Sequence, residues 1–272
     1  MAFPAERIVC LTEETVETLY LLGEDARIVG VSGYAVRPKR VRQEKPRVSA
    51  FISADLPKIL ALKPDLVLTF SDLQADIVAG LVREGVAVHA FNQRSVAGIL
   101  DMICTVGALV GCTERAELLA AGYETRLAEI AAKPRPNRPR VWFEEWDEPL
   151  ISAVGWVSEL IEIAGGRDVF ADLAREGKAK HRIVTPEQVI NAAPEVIVGS
   201  WCGKKFRPEK VSARQGWQDV PAVARNRLHE VKSTLILQPG PAALTDGLDA
   251  LEAAIWCDPG PIRGCGRNCS ST

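Results

Sequence analysis

The chain has 272 residues, with 33 Lys and Arg against 35 Asp and Glu and a net charge of −2. That balance excludes a polyanion binder driven by bulk charge, and 47% hydrophobic with 25% charged residues excludes a disordered chain. No apolar run approaches the roughly 18 residues that a membrane helix needs, so neither membrane insertion nor nucleic-acid binding is expected.

Met1 to Arg7 lacks the basic and apolar regions of an export signal. A cytoplasmic location is therefore expected if Met1 is the natural start, and a periplasmic one if the chain is a trimmed export form. Arg7 to Leu11 reads as a short buried strand, followed by a helix that Thr12 caps and Gly23 ends. Ile28 to Val31 reads as a second strand. A polar loop then runs to about Arg47, with six basic residues between Arg37 and Arg47 and the single acid Glu44. Asp55 opens a helix with Pro57 in its first turn. Leu66 to Phe70 is a β-rich run, Leu73 to Glu84 a helix closed by Gly85, and Val86 to Phe91 another strand, after which Ser95 caps a further helix. Strands alternating with helices predict an α/β fold with a parallel sheet.

Thr113 to Lys133 is a long helical pattern with no internal proline, and the Pro-rich segment Lys133 to Arg140 breaks it. The second half of the chain then repeats the first. Val16-Glu-Thr-Leu-Tyr-Leu-Leu-Gly23 pairs with Val157-Ser-Glu-Leu-Ile-Glu-Ile-Ala-Gly165, and Leu62-Lys-Pro64-Asp65 pairs with Ala192-Ala-Pro194-Glu195. The loop between these motifs is longer in the first copy, where the basic segment lies. Two similar three-layer α/β lobes with mainly parallel sheets are predicted, joined by one long α-helix. The boundaries are 1–112 for the N-terminal lobe, 113–134 for the helix, 135–256 for the C-terminal lobe and 257–272 for a disordered tail.

Ligands of open parallel sheets bind beyond the carboxyl ends of the strands, and clefts between domains are preferred small-molecule sites. In lobe one the strand-end loops carry Tyr34, Phe51, Ser71, Asp72, Asn92, Gln93 and Arg94. In lobe two they carry Glu144, Glu145, Trp146, Trp156, Trp201, Lys204, Lys205 and Gln238. The tryptophans concentrate in the second half of the chain, and Trp146, Trp156 and Trp201 fall in or near loops that should face the cleft. Trp142 sits inside a strand and reads as core. Cys202, ahead of Lys204 and Lys205, has the neighbours that lower a thiol pKa, which would suit a reactive thiolate; the alternative is a small buried residue in a tight loop. Cys10, Cys104 and Cys112 read as reduced thiols in apolar or helical contexts, and the tail cysteines Cys257, Cys265 and Cys269 lack zinc-site spacing. His89, His181 and His229 lie far apart without metal spacing, and no phosphate loop, dinucleotide fingerprint or nucleophile elbow occurs. No catalytic residue, metal ligand or required cofactor is expected.

Ile28-Val-Gly-Val-Ser32, Lys58-Ile-Leu-Ala-Leu-Lys-Pro-Asp-Leu-Val67, Glu159-Leu-Ile-Glu-Ile-Ala-Gly-Gly166, Thr185-Pro-Glu-Gln-Val189, Ala193-Pro-Glu-Val-Ile-Val198 and Gln238-Pro-Gly-Pro241 carry a family resemblance. The pattern resembles the two-lobed substrate-binding proteins of ABC importers, class III periplasmic-binding-protein-like, and within them the cobalamin (vitamin B12)-binding family. The resemblance implies a monomeric, non-enzymatic protein that clamps a cobalamin or related corrinoid, for an importer permease or as a soluble binder. It implies ligand contacts at Tyr34 and Phe51 on one side and at Trp201, Cys202 and Gly203 on the other. Gln93, Arg94, Trp146 and Gln238 are expected beside them. It further implies one permease-docking acid per lobe. The lobe-two position matches Glu187; the lobe-one position falls on Pro57, with Asp55 the nearest acid. A siderophore- or haem-binding protein of the same fold is the alternative ligand reading. An intracellular cofactor chaperone or enzyme using Cys202 is the alternative of another class.

Overall fold

In the computed structural model, which describes residues 3–256, the chain builds two parallel sheets. The expectation of a disordered tail over 257–272 lies outside the described residues. The first sheet contains β1 (Ile8–Cys10), β2 (Ile28–Ser32), β3 (Arg47–Ser49), β4 (Leu66–Phe70) and β5 (Val88–Phe91), in the order β3-β2-β1-β4-β5. The second half begins with β6 (Arg140–Glu144), adds a small antiparallel hairpin of β7 (Trp146–Asp147) and β8 (Leu150–Ile151), and continues with β9 (Arg167–Asp168), β10 (Val196–Gly199) and β11 (Leu228–Glu230). Its sheet order is β11-β10-β6-β9. All pairings within these two sheets are parallel. The central strands β1, β4, β6 and β10 are buried along most or all of their length, as sheets covered on both faces by helices require. These are the two α/β lobes with parallel sheets that the sequence implies.

The repeat read from the sequence has a physical basis in the structure. Before β4 and β10 the chain reverses through a left-handed residue, Lys63 (φ 49°) in one lobe and Ala193 (φ 45°) in the other. The following acid then ties the turn to the first strand. Asp65 accepts the backbone amides of Glu6 and Arg7 at 2.9 and 3.0 Å, and Glu195 accepts that of Arg140 at 2.9 Å. Arg7 and Arg140 complete the match by donating to the carbonyls of Lys63 and Ala193 at 3.1 and 2.9 Å. The Pro-acid pair is thus a clamp between two strands of each sheet. Cross-strand backbone and charge-assisted bonds of this kind fix register as well as adding stability.

The basic segment departs from expectation. It is not a loop throughout: it forms the short helix Val41–Glu44 and the edge strand β3, which has no counterpart in the second sheet among the described residues. Two valines explain the difference. Val41 and Val48 are buried, and the charged residues around them face outward. A basic edge strand also discourages pairing with another chain.

The helix Thr113–Ala131 runs between the two sheets in sequence. It packs on the preceding helix Val96–Leu109 so closely that a Cβ at Gly107 would overlap that of Ala116. A continuous apolar core reaches from Ile8 and Ile103 in the first half to Trp156, Leu160 and Val198 in the second. The two lobes therefore share buried surface beside the helix Thr113–Ala131. No helix among the described residues is long and apolar enough to cross a membrane.

Candidate functional site

The carboxyl ends of the two sheets face each other across a seam. On the first side β1 leads into Thr12 to Glu14, β2 into Tyr34, β3 into Phe51, β4 into Ser71 and Asp72, and β5 into Asn92 to Arg94. On the second side β6 leads into Glu145, β10 into Ser200 to Lys205, and β11 into the segment ending at Gln238. Contacts across the seam are direct. The Gln93 side-chain amide donates to the Pro239 carbonyl at 2.9 Å, Glu159 accepts the Val96 amide at 2.6 Å, and Glu17 accepts the Ala242 amide at 3.0 Å. Arg37 bridges Glu17 and Asp246 at 2.8 and 2.9 Å.

Several site residues expected from the sequence remain available to a ligand. Tyr34 is 53% exposed, and only its backbone amide is engaged nearby, donating to Ser32 Oγ at 3.2 Å. Phe51 is half-buried, its carbonyl accepting from Gln74 at 2.7 Å. Arg94 lies over the Phe70 ring at 5.1 Å and donates to Asn92 Oδ1 at 2.9 Å. Trp146 is half-buried with its indole N–H donating to the Glu148 carbonyl at 2.8 Å, and Lys204 Nζ stands 4.0 Å from its ring centroid. Gln238 is half-buried beside Glu13, Glu14 and Glu17.

Other residues are corrected. Trp201 is 2% exposed and does not present a face to the seam; its indole donates to Glu144 at 3.2 Å and its ring meets Phe206 edge-on at 5.1 Å. Trp156 is 3% exposed and donates to the Ile236 carbonyl at 2.9 Å, a core role. Both indoles lie in apolar surroundings where a single buried acceptor satisfies the N–H. Gln93 is 8% exposed; its amide nitrogen is engaged by the tie to Pro239, and its buried Oε1 has no hydrogen-bond partner. Glu144 is 0% exposed and paired with Arg214, so it is no ligand contact either. Cys202 is exposed, but its thiol is pushed up by partial burial of the sulfur and by Glu145 and Glu13, the reverse of the activation expected from Lys204 and Lys205. Lys204 is drawn instead to Asp147 and Trp146. A thiol held in its protonated form is a poor nucleophile.

Sequence reasoning reads Glu13 and Glu14 only as the acidic start of the loop that mirrors Glu144 and Glu145, and names neither as a ligand contact, because they resemble ordinary first-turn acids of a helix. In the folded chain they lie at the floor of the seam. Burial, with the charges of Glu14 and Glu17 adding to it, raises Glu13 to about 8; burial raises Glu14 to about 7 against the lowering pull of the Thr12 hydroxyl and nearby backbone amides. A carboxyl that binds its proton more tightly when folded stabilises the fold at low pH and loses that contribution as pH rises through its folded pKa. His89 and His229, held low by burial, act in the opposite direction, but only below about pH 6.5. The melting temperature is therefore expected to fall from about pH 6.5, above which the histidines no longer oppose it, to about pH 8, and to level off beyond the folded pKa of Glu13. Replacing Glu14 with Gln should flatten that slope in calorimetric scans; an unchanged slope would show that Glu14 does not titrate there.

Asp55 and Glu187 are both exposed, at the starts of the helices Leu56–Ala61 and Pro186–Ala192. Asp55 caps its helix by accepting the Lys58 amide at 3.0 Å, the task Thr185 performs in the other lobe. Glu187 is held below the usual carboxylate range by its own backbone amide.

A family model described as periplasmic binding protein matches residues 8–235. The chain belongs to the periplasmic binding protein family. The family consists of substrate-binding proteins rather than enzymes. An uncharacterized ABC transporter substrate-binding lipoprotein, YvrC of Bacillus subtilis, is 25% identical over 93% of this chain and 81% of its own length. A vitamin B12-binding protein of Vibrio cholerae is 27% identical over 92% of this chain and 88% of its own. Among solved structures, the periplasmic heme-binding protein RhuT from Roseiflexus superimposes with a TM-score of 0.77 at 26% identity, covering 92% of this chain and 99% of that one.

Proposed function

We propose that this periplasmic binding protein is the substrate-binding component of an ABC importer and that it clamps a cobalamin or related corrinoid between its lobes. The observation that carries the reading is the near-full-length similarity to vitamin B12-binding relatives, joined to a cleft whose open walls are aromatic. Tyr34, Phe51 and Trp146 offer flat apolar surface to a corrin plate, and Arg94 and Gln238 offer hydrogen bonds to its amide rim. Cys202, exposed but protonated, contributes contact only. Glu187 and Asp55 are the acids proposed to dock on a permease. On this reading the protein works outside the cytoplasmic membrane, as importer components do, and as a monomer.

Purified protein titrated with cyanocobalamin is expected to shift the corrin absorption and release heat with one ligand per chain. Absence of both signals at saturating corrinoid would overturn the cobalamin reading. A second reading has its own observation. The exposed phenol of Tyr34 is an oxygen donor suited to ferric iron, as in a haem or ferric chelate. Hemin binding that is lost in Tyr34→Phe, without corrinoid binding, would select it.

A further inference from the structure

Beside the seam, five cationic side chains line one open groove. Its volume is about 850 Å³, in the range of small-molecule sites. One wall is the end of the helix Glu13–Leu21 together with the start of the basic segment of lobe one. The other wall is Lys232, Thr234 and Leu235, just after β11 in lobe two. Glu17 is the single acid on the lining.

Two of the five cations are already neutralised. Arg37 bridges Glu17 and Asp246 at 2.8 and 2.9 Å. Arg40 stands 3.6 Å from Glu44, 3.8 Å from Asp25 and 4.9 Å from the Tyr20 ring centroid. The other three, Lys39, Arg42 and Lys232, are exposed and make no ion pair among the described residues. Arg42 also acts on Glu13, but that carboxyl, raised to about 8, is mostly protonated at neutral pH and supplies little countercharge. The net charge of −2 gives the molecule no bulk attraction for anions, so the attraction here is local, and a concave basic wall concentrates it. The groove is apolar as well as basic. Leu21 is 51% exposed at the helix end, and Leu235 is half-buried on the facing wall. Leucine on both sides suits an organic body, and three uncompensated cations suit charged oxygens.

We propose that this groove is a second ligand site, separate from the strand-end cleft, for a small organic anion with an apolar body and two or more negative charges carried as phosphate or carboxylate. Its body covers Leu21 and Leu235, and its charged end meets Lys39, Arg42 and Lys232. Because the walls come from both lobes, the bound anion bridges them. The inference goes beyond the corrinoid reading and does not depend on it: the success or failure of cyanocobalamin binding alters none of the outcomes that follow.

Naphthyl phosphate and naphthalenedicarboxylate, titrated calorimetrically into the full chain at low ionic strength, are the probes. Both should bind the wild type more tightly than inorganic phosphate does, and added salt should weaken them. A variant carrying Lys39→Gln, Arg42→Gln and Lys232→Gln should lose about tenfold in affinity, as three exposed charge pairs imply. Methyl resonances of Leu21 and Leu235 in the wild type should move as either probe is added, a readout that needs no variant. Absence of binding at about 1 mM probe would overturn the proposal. So would wild-type affinity in the triple variant, or binding that leaves both leucine methyls unmoved. Binding to phosphatidylglycerol vesicles but to neither soluble probe would overturn it in favour of a lipid surface.

Discussion

An Arg214→Ala variant is expected to lose about 3–5 kcal/mol of stability, the cost of leaving a buried charge without its partner. Glu144, 0% exposed at the end of β6, is held by the Arg214 guanidinium, one nitrogen of which lies 2.9 Å from Oε2. The same guanidinium lies 4.6 Å from the Trp217 ring centroid and 6.0 Å from that of Trp142, two indoles that meet edge-on. Alanine removes both the ion pair and the cation–aromatic contacts. Burial already raises the Glu144 pKa, and without Arg214 it would rise further. Urea denaturation followed by tryptophan fluorescence measures the loss. An Arg214→Ala, Glu144→Gln double variant should recover part of it, because the unpaired charge is gone. Equal stability of the two variants would show that lost packing on the indoles dominates.

Glycines set the distance between the lobes, and replacing either of two with alanine is expected to weaken ligand binding by about 10- to 100-fold, equivalent to the 1–3 kcal/mol that overpacking costs. A Cβ at Gly155 would overlap the Arg94 carbonyl oxygen, and one at Gly240 would overlap the Cβ of Glu14. Each overlap crosses the seam and involves backbone or a near-backbone atom, so rotating a side chain cannot relieve it. The lobes must separate instead. Titration of Gly155→Ala and Gly240→Ala with the ligand that the wild type binds measures the effect, and small-angle scattering should show a larger radius of gyration. Wild-type affinity in both variants would mean that the cleft does not need this close approach.

Much of the architecture was legible because it rests on local rules. The alternation of strand and helix, the side-chain caps of Asp55 and Ser95, Gly23 and Gly165 in left-handed turns, and the repeated Pro-acid clamp are each encoded within a few residues, whereas Thr12 stands at the cap position without making the side-chain bond. The strand β3 was hidden because the basic residues around Val48 mask a burial pattern only three residues long.

The candidate site was legible in outline only. Strand-end position alone brought Tyr34, Phe51, Arg94 and Trp146 toward the seam. It could not separate Trp146 from Trp201, which occupy similar loops and differ in what packs on them. Lys204 lies over both rings, but Phe206 and Glu144 close over Trp201 as well, while Trp146 sits half-buried at the margin of the same apolar cluster. Nor could it show that Glu14, unremarkable at a helix start, would be closed in by Gly240 from a segment more than two hundred residues away. Sequence by itself determined the elements, their repeat and hence the two-lobed fold, because propensity, capping and periodicity act over short range. Only the tertiary structure decided which side chains are buried, paired or left for a ligand, because burial and charge at the seam depend on groups brought together from both halves of the chain.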